Sequence, residues 1–358
     1  MCRAIDTARQ SVRLEMYIYH PQGPGAVVRE ALVSAARRGV TVKVLVDAIG
    51  SDQLDDPFWS PLVGAGGAYR WFNPFHLRRV AIRNHRKLLV CDERLAIVGG
   101  FNLMPEIEGD GLARGWRDLA IELEGSLAGE LAVSFDEMFV LADFRHGRFA
   151  RFSRNRARHA STMPQAELLF SGPGRGRHPI KAALHRDLAR ARDVGIAMAY
   201  FVPTWRIRRL LARVARRGGR VRLLLPARSD VALAQLASRR SYAGLMRAGV
   251  EIHEFQPQVL HSKLIVVDDV TYVGSANLDH RSLHINYELM LRFSDPTMAR
   301  EARERFELDL THSARIDPRA WRRTRTFWEK LKEQWAWTVL VHWDATLARW
   351  QLKRLGKG

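Results

Sequence analysis

The chain carries one motif twice, as NHRKLLVCD at residues 84–92 and as LHSKLIVVD at residues 260–268. Both copies read His-x-Lys-x-x-x-x-Asp, and each continues into a glycine-containing return, VGGFN at 98–102 or VGSAN at 273–277. The apolar centre of each copy predicts a buried β-strand, and the return predicts a second strand beside it. The two copies therefore predict two equivalent strand pairs in one chain.

The histidine and the lysine of each motif are two residues apart, so a strand places both on one face. These pairs are His85 with Lys87 and His261 with Lys263. Each returning strand is expected to bring an asparagine, Asn102 or Asn277, beside its pair.

The aspartate of each motif, Asp92 or Asp268, comes seven residues after the histidine. An odd spacing puts it on the opposite face of the strand from the histidine, and it follows the apolar run, near a turn. We therefore predict a structural role for both aspartates, although they complete the motif.

Two histidines, two lysines and two asparagines in one place suit phosphoryl transfer. One histidine can attack phosphorus while the other protonates the departing oxygen. Ammonium and amide groups can stabilise the charge on the phosphoryl oxygens, so we expect no metal ion and no cofactor. The alternative interpretation is a pair of core histidines with neighbouring lysines. It is disfavoured because only eight of the 57 basic residues are lysines, and both motifs contain one.

The flanking sequence also repeats. ARRG at 36–39 precedes the apolar run 42–47, and ARRG at 215–218 precedes the apolar run 221–226. Helices ending at glycine before buried strands predict βα units. We expect an α/β fold of two similar halves, each a mixed, mostly parallel sheet flanked by helices. A strand predicted at 166–170 has no counterpart in the first half, so either the first repeat lacks a strand or the chain starts late.

Composition limits the class of protein. The 358 residues are 47% hydrophobic and 27% charged, which indicates a globular core. Two cysteines exclude a disulfide scaffold and favour a reducing compartment, and no apolar run is long enough to span a membrane. The net charge of +19 predicts a polyanionic partner, either nucleic acid or an anionic membrane.

The duplicated motif resembles the paired HKD signatures of the phospholipase D superfamily. More narrowly, the stretch 274–283, with Asn286 and Glu288 following it, is similar to the second motif of bacterial cardiolipin synthases. The first-half segments 84–87, 99–102 and 116–118 look like the corresponding first motif. The resemblance covers roughly residues 4 to 310.

The resemblance implies roles for the motif residues. His85 would be the nucleophile and His261 the general acid and then the general base, although the sequence itself does not decide between the two histidines. An acidic residue would lie against the ring of each histidine, with Glu288 serving the second half and Asp118 the first. The resemblance also assigns the motif lysines and aspartates to the catalytic set, and it places a group of polar residues at the substrate phosphate: Asn102, Asn277 and Ser275.

The C-terminal region is rich in tryptophan. Six of the ten tryptophans lie in the last forty residues, and Asp317 with Pro318 predicts the start of an amphipathic helix. The next glycine or proline is Gly356, which permits a helix of about 37 residues with all but Trp337 on one face. Such a helix could lie on a membrane or pack on the body of the protein.

These observations divide the chain into four parts: a first repeat at 1–144, a basic linker at 145–165, a second repeat at 166–316 and the C-terminal helix at 317–358. The resemblance implies a phosphatidyltransferase that joins two phosphatidylglycerol molecules through a phosphohistidine. Hydrolysis of phospholipids is the alternative, and a nuclease-type phosphodiesterase is a third possibility.

The implied partners are a phospholipid and an anionic membrane surface. The implied location is peripheral, on the cytoplasmic face of the bacterial cell membrane, and no nucleic acid is expected. The acceptor alcohol and the oligomeric state remain open.

Overall fold

The computed structural model describes residues 1–74, 80–142, 165–173 and 178–343. Apart from Gln165, the predicted linker at 145–165 lies outside the described residues, and so do residues 344–358 of the predicted C-terminal helix. The four predicted segment boundaries therefore remain predictions.

The first half forms a six-stranded sheet in the order β3-β2-β1-β4-β5-β6. Its elements are α1 (Cys2–Thr7), β1 (Ser11–Met16), α2 (Pro24–Arg37), β2 (Thr41–Asp47), α3 (Asp56–Gly64), β3 (Ala68–Phe72), β4 (Leu88–Cys91), β5 (Leu95–Gly99), a 3-10 turn (Pro105–Ile107), β6 (Ala120–Glu124) and α4 (Ser126–Val140).

The second half forms an eight-stranded sheet in the order β14-β10-β9-β8-β11-β12-β13-β7. Its elements are β7 (Ala166–Ser171), α5 (Pro179–Arg190), β8 (Asp193–Met198), α6 (Trp205–Arg216), β9 (Arg220–Pro226), α7 (Ala232–Arg239), α8 (Tyr242–Arg247), β10 (Glu251–Phe255), β11 (Lys263–Val267), β12 (Val270–Gly274), α9 (His280–His284), β13 (Glu288–Ser294), α10 (Pro296–Thr311) and β14 (Ser313–Arg315).

The predicted α/β fold of two similar halves is confirmed, because β1 to β6 and β8 to β13 occupy equivalent positions in the two sheets. The expectation of mostly parallel sheets is wrong. Within the described residues, two of five strand pairings in the first sheet and two of seven in the second are parallel. The motif strands contribute to this difference, because each is followed by a tight return that forces it to pair antiparallel with the next strand.

The motif strands are buried on both faces, and their side chains alternate between two core layers. Leu89 of β4 packs towards the outer helices of its half, whereas Leu88 packs into a layer between the two sheets. That inner layer joins Phe135 of α4 to Leu168 and Leu289 of the second half. The two sheets therefore share a hydrophobic core, which fixes the position of one motif relative to the other.

The C-terminal region is not one continuous helix. It forms α11 (Pro318–Thr324), α12 (Phe327–Thr338) and a π-helical turn (Val339–Trp343). The break follows from a capping box, in which Thr326 and Glu329 satisfy each other's backbone amides and begin a new helix. The expectation of a single tryptophan face is wrong as well for the described residues, because Trp321 packs on Tyr242 whereas Trp328 and Trp335 are exposed.

Helix α12 has a packed face and an exposed face. Ala336 is buried against Ala237 of α7 and Val202, and the Arg240 guanidinium lies 4.3 Å from the centroid of the Trp337 ring. Large apolar side chains project from the other face and are 47–71% exposed: Phe327, Trp328, Leu331 and Trp335. Packing on the body and an exposed apolar face therefore coexist in one helix.

No helix in the described part of the chain is long and apolar enough to cross a membrane.

Candidate active site

One cavity of about 290 Å³ lies between the two halves and is open at one side. Both motif histidines line it, together with both motif asparagines. The other lining residues are Tyr17, Ile18, Trp116, Tyr200, Val202, Asp230, Val231, Ala234, Asp279, His280, Arg281, Ser282, Asn286, Leu340 and Val341. The fold thus brings the two sequence copies to one site, as the duplicated motif predicts.

His85 lies just before β4 and is held by the second half of the chain. Its backbone amide donates to the Tyr287 carbonyl at 2.9 Å, next to a bridge between Asn84 and Tyr287. The following residue, Glu288, places its Oε2 3.0 Å from the His85 Nδ1 atom. Glu288 is fully buried, so the carboxylate fixes the ring from inside the protein.

His261 has the mirrored arrangement. Its backbone amide donates to the Arg117 carbonyl at 2.7 Å, and Leu260 forms a bridge with Arg117. Asp118 then places its Oδ2 2.5 Å from the His261 Nδ1 atom.

Each histidine is therefore held by the carboxylate of the other half, which corrects the expected pairing within each half. The reason is the pair of cross-half bridges. Each motif loop hydrogen-bonds to the segment of the opposite half that carries the acid, so Glu288 reaches His85 and Asp118 reaches His261.

The motif lysines lie beside their histidines as predicted, although His85, Lys87 and His261 precede β4 and β11 instead of lying in these strands. Neither lysine lines the cavity, so both act on it from behind the histidines. Lys87 Nζ donates to the His85 carbonyl at 2.8 Å, and Lys263 Nζ lies 2.8 Å from the His261 Nδ1 atom. Both side chains are about 1% exposed. Burial lowers the pKa of Lys263 to about 8 and places the pKa of Lys87 well below its usual value. Two ammonium groups in this surrounding favour a bound anion, which would offset their desolvation.

Asn102 and Asn277 occupy equivalent places in the two halves. The side-chain oxygen of Asn102 accepts from the Ile18 amide, and that of Asn277 accepts from the Tyr200 amide, both at 3.3 Å. Since the carbonyl oxygens are used in this way, the amide NH₂ groups are oriented for donation into the cavity that both residues line.

Ser275 does not line the cavity, so its expected contact with the substrate phosphate is not supported. Its hydroxyl donates to Glu288 Oε2 at 2.5 Å and accepts from the Leu289 amide at 3.0 Å. The first half has Gly100 at the equivalent position. A side chain there would approach Asp118 Oδ1 to 2.4 Å and Lys263 Cδ to 2.8 Å, so glycine is required where serine is allowed in the other copy.

Asp92 and Asp268 lie at the far end of the motif strands, and their contacts are structural, as their parity predicts. Asp92 accepts hydrogen bonds from the backbone amides of residues 9, 10 and 11, and Asp268 accepts from those of residues 192 and 193. Both aspartates adopt positive φ angles, 53° and 48°. They tie the turn after the motif strand to the start of the neighbouring strand in each sheet.

The two histidines have different electrostatic surroundings. Burial and the adjacent Lys87 and Lys263 charges place the pKa of His85 well below its usual value. Burial and Lys263 also lower the pKa of His261, but the Asp118 carboxylate opposes that shift. The pKa values of the two carboxylates also differ. Burial raises the pKa of Glu288 to about 7, whereas the Lys263 and His261 charges outweigh burial and lower the pKa of Asp118.

Several aromatic and acidic residues lie at the site although the motifs did not predict a role for them. The Tyr17 ring lies 4.7 Å from His85, and the Trp116 ring lies 5.2 Å from His261. The Tyr200 hydroxyl donates to Asp230 Oδ2 at 2.6 Å. The sequence signal for the two tyrosines is a further repeat, MYIYHP at 16–21 and MAYFVP at 198–203. Each segment begins at the last residue of β1 or β8 and contributes residues to the cavity lining.

Two buried carboxylates that support the first motif loop were also missed. Asp47 accepts from the Asn84 amide at 2.8 Å and from the Arg83 guanidinium at 3.1 Å. Glu15 accepts from the Asn84 side chain at 2.6 Å and pairs with Arg86 at 3.0 Å. An acidic residue inside an apolar strand, as in SVRLEM at 11–16, is the sequence signal for such a role.

Within the described residues, no group of three or more His, Cys, Asp or Glu side chains is arranged to hold a metal ion.

Two mixed sheets that share a cavity, with one carboxylate-backed histidine from each half, define a phosphodiester-transfer enzyme of the phospholipase D superfamily. Two solved structures share the fold. Phosphatidylserine synthase from Haemophilus influenzae Rd KW20 superimposes with a TM-score of 0.73, covering 97% of this chain and 91% of that one, at 14% identity. Polyphosphate kinase from Porphyromonas gingivalis superimposes with a TM-score of 0.60 and covers 99% of this chain and 50% of that one, also at 14% identity.

Sequence comparisons identify a narrower family within this class. The family model described as "Cardiolipin synthase, PLD-like domain" matches residues 1–108 and 184–310, and the chain belongs to this family. Cardiolipin synthase B of Salmonella typhi is 31% identical over 352 residues, which cover 96% of this chain and 84% of that protein. Cardiolipin synthase 1 of Bacillus cereus is 30% identical over 327 residues, and the match spans 88% of this chain but only 64% of that protein.

Proposed function

We propose that this enzyme transfers a phosphatidyl group from one phosphatidylglycerol to the hydroxyl of another, forming cardiolipin and releasing glycerol. One observation carries the proposal: two buried histidines, each hydrogen-bonded to a carboxylate, face a single cavity with lysine and asparagine donors beside them. The names of the similar proteins support the choice of phospholipid as substrate.

In the first half-reaction, His85 attacks the phosphorus of the donor lipid through the ring nitrogen that Glu288 does not engage. A P–N bond forms, the bond from phosphorus to the glycerol headgroup oxygen breaks, and His261 donates its proton to that oxygen. Glycerol leaves, and the phosphatidyl group remains on His85.

In the second half-reaction, His261 is the general base. It takes the proton from a headgroup hydroxyl of a second phosphatidylglycerol, and that oxygen attacks the phosphohistidine. The new P–O bond replaces the P–N bond, which frees His85 and leaves His261 protonated for the next cycle.

The unequal surroundings of the histidines support this assignment of roles. A nucleophile must be neutral, and burial with two nearby ammonium groups favours neutral imidazole at His85. An acid must hold a proton; burial and Lys263 lower the pKa of His261, but the ionised Asp118 opposes that shift and stabilises the imidazolium form. Phosphate bound at the histidines would offset the charges of Lys87 and Lys263 and so raise the pKa of His261.

The phosphoryl charge is stabilised by the lysine ammonium groups and by the amide groups of Asn102 and Asn277. These donors are fixed by the fold before the substrate arrives, because each hydrogen-bonds within the protein. Preorganised donors of this kind stabilise a transition state without reorganisation during the reaction.

We propose that the protein binds the membrane peripherally, on the cytoplasmic face, through the exposed face of α12. Phe327, Trp328 and Trp335 are 59–71% exposed, and Lys330 and Lys332 are exposed beside them. Aromatic rings and cations on one helix suit the interface of an anionic bilayer, and the net charge of +19 agrees with that partner.

Incubation with liposomes containing headgroup-labelled phosphatidylglycerol tests the proposal, with the products separated by mass. Cardiolipin and free glycerol in equal amounts are the expected products. Phosphatidic acid as the main product would replace the transferase with a hydrolase, in which water takes the place of the acceptor lipid. No change to the lipid, with cleavage of a soluble phosphodiester retained, would refute the lipid substrate.

A further inference from the structure

The two sides of the cavity differ in chemistry. One side carries the histidines, the asparagines and Tyr17. The cavity also has an apolar wall, which continues from the lining residues Tyr200 and Asp230 and is made of five side chains: Val202, Val231, Ala234, Leu340 and Val341. Three of these belong to the second half, and the last two come from the π-helical turn that ends α12. A region outside both repeats therefore contributes directly to the space in front of the histidines.

The packing of α12 fixes the position of these last two residues. Ala336 is fully buried against α7, and Trp337, Leu340 and Val341 pack onto the same small core as Val202 and Ala237. Arg240 adds a polar anchor at this contact, because its Nε donates to the Gln334 side chain at 2.5 Å while its guanidinium lies over Trp337.

A second anchor involves Arg325, just before α12 begins. Arg325 forms a buried ion pair with Glu333, and its guanidinium lies 4.5 Å from the centroid of the Trp321 ring. Trp321 in turn packs on Tyr242 of α8, with ring centroids 5.2 Å apart. Helices α11 and α12 are thus both attached to the second half, so the apolar wall is a defined surface.

We propose that Leu340 and Val341 form the surface on which the glycerol backbone and first acyl carbons of the donor lipid rest. This inference rests on the proposed function and extends it, because it assigns the C-terminal segment to the donor-lipid site. The segment would set the preference for diacyl phospholipids over soluble phosphodiesters.

The size and polarity of the cavity support this assignment. A volume of about 290 Å³ is at the small end of ligand sites, so it holds a phosphate and its neighbouring carbons rather than whole acyl chains. A phosphate at the histidines has one apolar substituent, the diacylglycerol, and that substituent gains most by lying against the apolar wall. The acyl chains would then leave the cavity beside α12, whose exposed aromatic face is proposed to lie on the bilayer.

The test compares Leu340→Ser with the wild-type enzyme on two substrates, diacyl phosphatidylglycerol in mixed detergent micelles and bis(p-nitrophenyl) phosphate in solution. Micelles remove the need for docking on a bilayer. The ratio of kcat/KM for the lipid to that for the soluble diester should fall at least about tenfold, because a changed apolar contact in a binding pocket discriminates by about 10- to 200-fold. Leu340→Met should restore most of the ratio, and Leu340→Ala should shift it in the same direction as serine.

Leu308→Ser is the matched control, since Leu308 lies on α10 and is 47% exposed. It should leave both activities at the wild-type level. An unchanged ratio in Leu340→Ser would overturn the inference. An equal loss on both substrates, accompanied by a lower melting temperature, would also overturn it by showing a purely structural role. A wild-type enzyme that cleaves the soluble diester but no lipid would instead refute the proposed function itself.

Discussion

The crossed pairing of histidines and carboxylates leads to a prediction about leaving groups. Asp118→Asn keeps the shape of the side chain but removes the charge that lies 2.5 Å from the His261 Nδ1 atom. We expect lipid turnover to fall because His261 is the proposed acid. In the soluble substrate bis(p-nitrophenyl) phosphate, the leaving group is a weak base that departs without protonation, so the loss there should be much smaller.

The size of the effect follows from the contact that is lost. A hydrogen bond to a charged partner contributes about 1.5–3 kcal/mol, and every 1.36 kcal/mol in the barrier is about tenfold in rate. The asparagine amide also favours the wrong imidazole tautomer, and the same change in a Ser-His-Asp triad lowers kcat by about 10⁴. We therefore expect kcat on the lipid to fall by about 10- to 10⁴-fold.

Glu288→Gln is the matched variant on the other histidine. Glu288 supports His85, the proposed nucleophile, which both substrates need equally. This variant should lower turnover of the lipid and of the soluble diester by similar factors. Both variants should keep the wild-type circular dichroism spectrum.

Single-turnover rates on the two substrates show which histidine is the nucleophile and which is the acid. If Asp118→Asn lowered both rates equally while Glu288→Gln spared the soluble diester, the assignment of nucleophile and acid would be reversed. If both variants stayed within threefold of wild type on the lipid, the carboxylates would have no part in catalysis.

Four further predictions address the remaining features. Separate His85→Ala and His261→Ala variants should each lose nearly all turnover in a product assay while keeping the wild-type melting temperature, and a loss of less than about tenfold would contradict two-histidine catalysis. EDTA should leave the rate nearly unchanged, because lysine and asparagine groups meet the phosphate charge, and a loss restored by Mg²⁺ would contradict this mechanism. Asp92→Asn should act on stability, lowering the free energy of unfolding by about 1–3 kcal/mol near neutral pH. Burial acts to raise the pKa of Asp92, but its backbone hydrogen bonds outweigh burial, so the net pKa is lowered. The stability that Asp92 contributes is therefore present above pH ~4 and lost as pH falls further. A variant with unchanged stability in urea titrations would refute this role. Trp328→Ser combined with Trp335→Ser should weaken binding to anionic liposomes at least about tenfold, or about 1.4 kcal/mol, and should spare activity in detergent micelles; unchanged sedimentation with liposomes would exclude this face from membrane contact.

The sequence by itself determined the parts of the site that lie within a few residues of one another. Each histidine is two residues from its lysine, in the segment that leads into a motif strand, so the pairing His85–Lys87 could be predicted from this spacing alone. The parity argument also identified Asp92 as structural. The repeat of the motif predicted two similar halves, because each copy implies the same local strand pair.

Only the tertiary structure decided the contacts between distant segments. Glu288 is 203 residues from His85, and Asp118 is 143 residues from His261. The sequence around each histidine does not show whether its carboxylate comes from the same half or the other half. That pairing depends on which loops of the two sheets meet. The position of Leu340 at the cavity also depends on long-range packing. The preceding helix begins at a capping box and packs on α7. This packing selects which face of the amphipathic helix is buried.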